Sequence, residues 1–218
     1  METVLNKWVA LSEQLGLPLD VLLGLDYITD GYYENRIFNV ASAGEGIHGS
    51  LYPDSKALTP EQHAAIKATV AAAFEGDDLA WVREQIHWNR IGLKQRYLEL
   101  AAYIDPQAAT ALLTDIETWA RWLKNARNSI GHLETDGLDR RVPAAARFHL
   151  TNITKAFLHL VLLQELGLSP ELQRKAVTDV FWHQADVFRK AVLEDLANRT
   201  QKNVPRVPAT GRHQRRTL

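Results

Sequence analysis

Apolar residues recur at three- and four-residue spacing along nearly the whole chain, the pattern of amphipathic helices. The clearest stretch follows Asp105-Pro106, where Leu112, Leu113, Ile116, Trp119, Ala120, Leu123, Ala126 and Ile130 fall on one face. Asp105 is a good N-cap, Pro106 suits the first helical position and Gly131 suits a stop. At 1.5 Å per residue such a helix runs roughly 40 Å, enough to cross a small bundle.

The same punctuation recurs elsewhere. Thr59-Pro60-Glu61-Gln62 is a capping box ahead of an alanine-rich helix that ends near Gly76. Ser169-Pro170-Glu171 opens a helix whose apolar positions run from Leu172 to Leu196. Between these, the spacing predicts long helices over 31–51 and 143–166 and shorter ones over 3–15, 78–87 and 93–103. No stretch alternates with turns on both sides, so no sheet is expected. The fold class is all-α, an up-and-down helical bundle. Residues 1–26 read as an N-terminal helical extension and 27–198 as the helical domain. Residues 199–218, with two prolines, Gly211, arginines and no apolar period, read as a disordered basic tail.

Composition narrows the function. With 46% hydrophobic and 23% charged residues over 218 positions, the chain is an ordinary globular one that needs no staples. It has no cysteine, which excludes zinc ribbons, thiol nucleophiles, iron–sulfur sites and disulfides. The formal net charge of −1 conceals an asymmetry. Six basic residues and no acidic one lie beyond Asp195, leaving 19 basic against 26 acidic in the first 195 residues, a net of −7. Nucleic acid can therefore be met only locally. Glu2 and Lys7 interrupt any leader-like apolar run, and the longest run, Phe157–Leu163, contains His159 between Lys155 and Gln164. These features read as a cytoplasmic protein with no membrane partner.

Two tempting motifs fall away. Gly44-Glu45-Gly46-Ile47-His48-Gly49 matches the dinucleotide pattern, but helix precedes it, Pro53 follows it, and the position where an acid is needed is Thr69. The eight histidines include no pair three or four apart, so no helix presents a two-histidine metal clamp. Neither a metal nor a cofactor is expected.

Ala126-Arg127-Asn128-Ser129-Ile130-Gly131-His132 stands out at the end of the best helix. At about 100° per residue Asn128 and His132 share a face with Arg127 beside them, and unwinding at Gly131 would let His132 approach Arg127. A permanent cation, an amide and an imidazole suit a phosphodiester. Arginine neutralises the phosphate, while histidine takes a proton from a 2′-hydroxyl or gives one to the leaving oxygen. The plainer alternative is a helix C-terminus whose cations complement the dipole. Between Arg121 and Lys155 seven basic residues face three acidic ones, the one basic neighbourhood of the body. Lys124, Arg140 and Arg141 are the candidates there for holding RNA beside the cleaved bond. Glu45 and His48 either stand behind the motif or lie on the bundle surface, the reading isolated polar residues favour. Trp119 and Trp122 read as core or interface, with base stacking the lesser alternative, Trp8, Trp81, Trp88 and Trp182 as core, and His149, His159 and His183 as packed or partly exposed side chains without a catalytic duty.

The stretch Arg127–His132 resembles the R-N-x-x-x-H form of the HEPN superfamily motif. Tyr33–Val40 followed by Glu45 and His48 is similar to the first long helix of its ApeA-like branch, and residues 27–166 follow that branch's order of elements. The resemblance implies a HEPN bundle that homodimerises so that two motifs share a cleft. It implies a metal-independent endoribonuclease of antiphage abortive infection, leaving a 2′,3′-cyclic phosphate. Arg127 would then be the phosphate ligand, His132 the acid/base and Asn128 an orienting group. The same resemblance leaves open a non-catalytic RNA-binding or dimerisation module of a defence complex. The chain departs from the family at Gly131, where relatives carry a hydroxyl, and at the helix-breaking Gly44, Gly46 and Gly49. Fuller relatives also carry an upstream β-rich domain, a candidate sensor.

Overall fold

The computed structural model describes residues 2–28, 31–133 and 142–202. Among them are eleven helices and no strand. They are α1 (Glu2–Leu15), α2 (Leu17–Tyr27), α3 (Tyr33–Leu51), α4 (Pro60–Ala73), α5 (Gly76–Gln85), α6 (Leu93–Tyr103), α7 (Pro106–Leu113), α8 (Ile116–Gly131), α9 (Ala144–Glu165), α10 (Pro170–Asp179) and α11 (Trp182–Lys202).

Local chemistry starts and stops these helices. Thr59 and Gln62 form the reciprocal capping box at α4. Ser169 Oγ caps α10 by accepting from the Leu172 amide. Asp105 caps α7 by accepting from the Ala108 amide at 2.8 Å, while its other oxygen pairs with Arg174 of α10 at 3.0 Å. This one carboxylate therefore caps a helix and ties it to a second.

The single long helix expected after Pro106 is in fact two. Thr114, at φ 61 and ψ −57, turns the chain sharply, and the Asp115 amide donates to the Leu113 carbonyl at 2.6 Å. That is the strained, positive-φ γ-turn. Asp115 then caps α8 by accepting from the Thr118 amide. The periodicity runs through the break because both halves bury the same side. The expected helix over 170–196 is likewise divided: the amides of Val180 and Phe181 both turn onto the Ala176 carbonyl and close α10. Its second part, α11, continues to Lys202, past the expected start of the tail, with Arg199 paired to Asp195 at 2.6 Å. The rest of that tail lies outside the described residues.

Trp119 of α8 is the hub of the core. It is fully buried, meets Tyr97 of α6 edge-on at 5.2 Å and Phe157 of α9 at 4.6 Å, and donates from Nε1 to Thr154 Oγ1 at 3.0 Å. Tyr97 in turn donates to the Ala41 carbonyl of α3 at 2.7 Å. Trp122, also fully buried, meets Phe188 of α11 edge-on. Three helices are thus keyed directly to α8, and α3 to it through Tyr97, which fixes its rotation about its own axis.

The three glycines of α3 divide by their surroundings. A Cβ on Gly44 would lie 2.6 Å from Tyr97 Oη, and one on Gly46 would lie 2.5 Å from Pro18 of α2. Gly49 faces open space. Two of the three are therefore contact glycines at a close helix crossing, which outweighs their poor helix propensity.

Helices α1 and α2 join this same core through Leu11, Leu15, Leu19, Leu22 and Leu25. No single helix among the described residues is long and apolar enough to cross a membrane; only the α1–α2 pair, bent by 107°, meets the length and composition together. By contrast α4 and α5 bury no residue. Their hairpin is tied by hydrogen bonds, including a reciprocal pair in which the Leu58 amide donates to Asn89 Oδ1 and Asn89 Nδ2 donates to the Leu58 carbonyl. Trp81, Trp88 and Trp182 are 59–65% exposed rather than in the core, because they stand on this hairpin, its exit and the start of α11. Trp8 packs half-buried against the core. His149 and His159 are half-buried too, whereas His183 is exposed.

Candidate functional site

The buried stripe of α8, Trp119, Ala120, Trp122, Leu123, Ala126 and Ser129, sets which way the rest of the helix faces. Arg127 and Asn128 come to lie half-buried at its edge, one turn after the exposed Lys124. The helix does not unwind at Gly131. The His132 amide still donates to the Asn128 carbonyl at 2.9 Å, so His132 closes the last turn and is exposed. The chain reverses one residue later, at Leu133 with φ 52. Arg127, Asn128 and His132 thus share the final two turns.

Arg127 is held from α3. Its Nη2 lies 3.5 Å from Glu45 Oε2, and its guanidinium stands 5.6 Å from the centre of the Phe38 ring. Phe38 and Glu45 are seven residues apart, two turns along one face. Gly131 lies against the same pair: a Cβ there would make ordinary contact with Phe38 at 3.4 Å and lie 3.9 Å from Arg127 Nη1. A hydroxyl residue at this position is therefore a matter of a small contact rather than a clash. Nε of Arg127 is buried with no hydrogen-bond partner among the described residues. The guanidinium is oriented but keeps donors to spare.

Glu45 is itself clamped. Arg96 of α6 approaches its Oε1 at 4.0 Å and donates to its backbone carbonyl at 3.4 Å. One carboxylate thus stands between two arginines. All three side chains are partly exposed, so the network's value is positional more than stabilising.

One turn on, His48 is 1% exposed, which corrects the expectation of a surface residue. Its Nε2 meets Glu99 Oε2 at 2.8 Å, and Glu99 also accepts from Gln95 and Ser55. Burial pushes the His48 imidazole below its ordinary pKa despite Glu99. Burial opposes the ionisation of Glu99, but the hydrogen bond from His48 and those from Gln95 and Ser55 hold its carboxyl below the usual range. The pair is therefore a neutral imidazole donating to a carboxylate near neutral pH.

The basic neighbourhood of the sequence is partly spent on structure. Lys155 pairs with Asp26 of α2 at 2.5 Å, and Arg121 donates to Thr118 within α8. Arg140 and Arg141 lie outside the described residues. Among the described residues no group of three or more His, Asp or Glu converges to hold a metal ion.

Sequence reasoning missed Arg96 and Glu99. Each is one of several polar residues on the short helix α6, with no motif to mark it; only the packing of α6 against α3 brings them to Glu45 and His48.

The chain belongs to the Apea-like HEPN family, whose model matches residues 38–172. That span opens at Phe38, beneath Arg127, and includes α8 entire. No curated protein and no solved structure matches the chain.

Proposed function

We propose that this protein is a metal-independent endoribonuclease of antiphage defence, acting in the cytoplasm as a homodimer whose two α8 ends share a cleft. The observation that carries the proposal is the placement of Arg127, Asn128 and His132 on the last two turns of α8, with Arg127 oriented by Glu45 and Phe38. Arg127 binds the scissile phosphate and offsets the charge that builds on it. One His132 takes the proton of the 2′-hydroxyl, whose oxygen attacks phosphorus. The P–O5′ bond breaks, and the leaving oxygen takes a proton from the other His132. The products are a 2′,3′-cyclic phosphate and a 5′-hydroxyl. Asn128 orients substrate or motif, and Lys124, Arg140 and Arg141 hold flanking phosphates. Leu133, adjoining His132 and 87% exposed, is an apolar contact suited to the partner copy.

The pairing of Arg127 with Glu45 favours a second reading, a binding module without catalysis, because the motif cation is already partly neutralised. The two separate on one experiment. Total tRNA and mixed-sequence RNA are incubated with the protein and with His132→Ala, in EDTA. Cyclic-phosphate ends from the wild type alone support the ribonuclease; equal turnover by His132→Ala sinks it.

A further inference from the structure

Where α3 ends and α6 begins, a recess of about 140 Å³ opens, lined by His48, Tyr52, Ser55, Lys56, Arg90 and Arg96 among others. Three of these six are basic side chains, in a body whose formal charge over residues 1–195 is −7. The volume takes a phosphate group and a few waters rather than an apolar ligand. Its wall also contains the imidazole of His48, 1% exposed, whose Nδ1 has no hydrogen-bond partner among the described residues. With Nε2 donating to Glu99, Nδ1 is an acceptor, which suits a ribose hydroxyl or a water beside the phosphate rather than the phosphate itself.

The rim is preorganised as well. The Arg90 guanidinium lies over the Trp88 ring, 4.1 Å from its centre. Trp88 is nevertheless 64% exposed, on a segment the hydrogen bonds of Asn89 pin to Leu58. An arginine fixed by an aromatic face and a ring open to solvent are the two elements with which proteins grip a single strand: charge for the backbone and a platform for a base.

The recess is joined to the motif. Arg96 lines it and also reaches Glu45, whose other oxygen meets Arg127.

We propose that the recess of Lys56, Arg90 and Arg96 is a second phosphate subsite for the RNA strand, with Trp88 stacking a neighbouring base. The proposal rests on the reading of the protein as an RNA enzyme or RNA binder, and adds where the strand runs. Lys56 and Arg90 are both exposed, so their removal does not disturb the core.

The test measures affinity in the cleavage-silent His132→Ala chain, by fluorescence anisotropy of a labelled short single-stranded RNA across a range of salt. Adding Lys56→Ala and Arg90→Ala is expected to weaken binding about tenfold at low salt and to flatten the salt slope by about 0.7 for each phosphate no longer neutralised. A charge-matched control, Lys175→Ala with Arg189→Ala on exposed positions of α10 and α11, is expected to leave both unchanged. Unchanged affinity and slope in the recess variant overturn the proposal, as does an equal loss in the control. Trp88→Phe removes the RNA-dependent quenching of tryptophan fluorescence if a base stacks there; full quenching in that variant overturns the stacking. Saturable binding of a mononucleotide that Lys56→Ala and Arg90→Ala abolish, with RNA affinity unaltered, assigns the recess to a free nucleotide and overturns the strand subsite. Cleavage by the chain that keeps His132 is scored separately. Cleavage without recess dependence removes this proposal alone, and recess-dependent binding without cleavage removes the ribonuclease reading alone.

Discussion

Glu45 Oε2 reaches Nη2 of Arg127 at 3.5 Å from a helix that precedes it by some eighty residues, while its other oxygen faces Arg96. The carboxylate holds the guanidinium at the edge of α8 without burying it. Glu45→Gln keeps the shape and removes the charge. Because the three side chains are partly exposed, the fold should lose less than about 1 kcal/mol. RNA cleavage should fall with little change in thermal midpoint, and Glu45→Asp should recover only part of it. Wild-type cleavage rates in Glu45→Gln would mean Arg127 needs no such partner.

The glycines of α3 predict opposite signs for the same substitution. Gly49→Ala meets nothing within 4 Å and should stabilise by roughly 0.5–1 kcal/mol, the ordinary helix gain. Gly44→Ala places a methyl 2.6 Å from the buried Tyr97 hydroxyl and should cost about 1–3 kcal/mol. Urea midpoints of the two variants decide it, and equal shifts would refute the packing argument.

Thr114 is a β-branched residue at φ 61, with a buried hydroxyl that has no partner among the described residues. Strain of this kind costs on the order of 1–3 kcal/mol. Thr114→Gly should therefore raise the thermal midpoint, although glycine normally lowers it. A calorimetric scan showing a lower midpoint would contradict the γ-turn.

The histidines set a pH dependence. His48 has its folded pKa lowered below 6.5 by burial, and His149 is lowered in the same way. Below pH 6.5 the unfolded chain binds a proton that the folded chain resists, so stability should fall as pH drops from 6.5 towards 4.5. Glu99, whose folded pKa is lowered from 4.5, adds its own loss only below that value. Urea midpoints at pH 7.5 and 5.5 should differ less in His48→Gln than in the wild type. An identical difference would place the titration on His149 alone.

Much of this was legible in the chain. The helix over 93–103 falls where periodicity places it, and the capping box at Thr59 forms as its residues imply. Periodicity did not reveal the two breaks, since apolar spacing continues through Thr114 and through Val180 as long as both segments bury one side. Exposed tryptophans defeated residue type: Trp81 and Trp88 look like core by size, but they stand on, and just after, a helical hairpin that buries nothing. At the site, Arg127 and His132 were visible because they share one helix. Arg96 and Glu99 were not, because their importance comes from a crossing of helices far apart in sequence.

The γ-turn at Thr114 has one further effect, on how the motif tolerates change elsewhere. A continuous rod from Pro106 would pass any inserted or deleted residue straight to its far end, swinging Arg127 by about 100° away from Glu45. The turn and the fresh cap at Asp115 restart the count, so α8 takes its azimuth from Asp115 and from Trp119 rather than from α7. The chain upstream is thereby free to drift in length over evolutionary time, while the twelve steps from Asp115 to Arg127 are not.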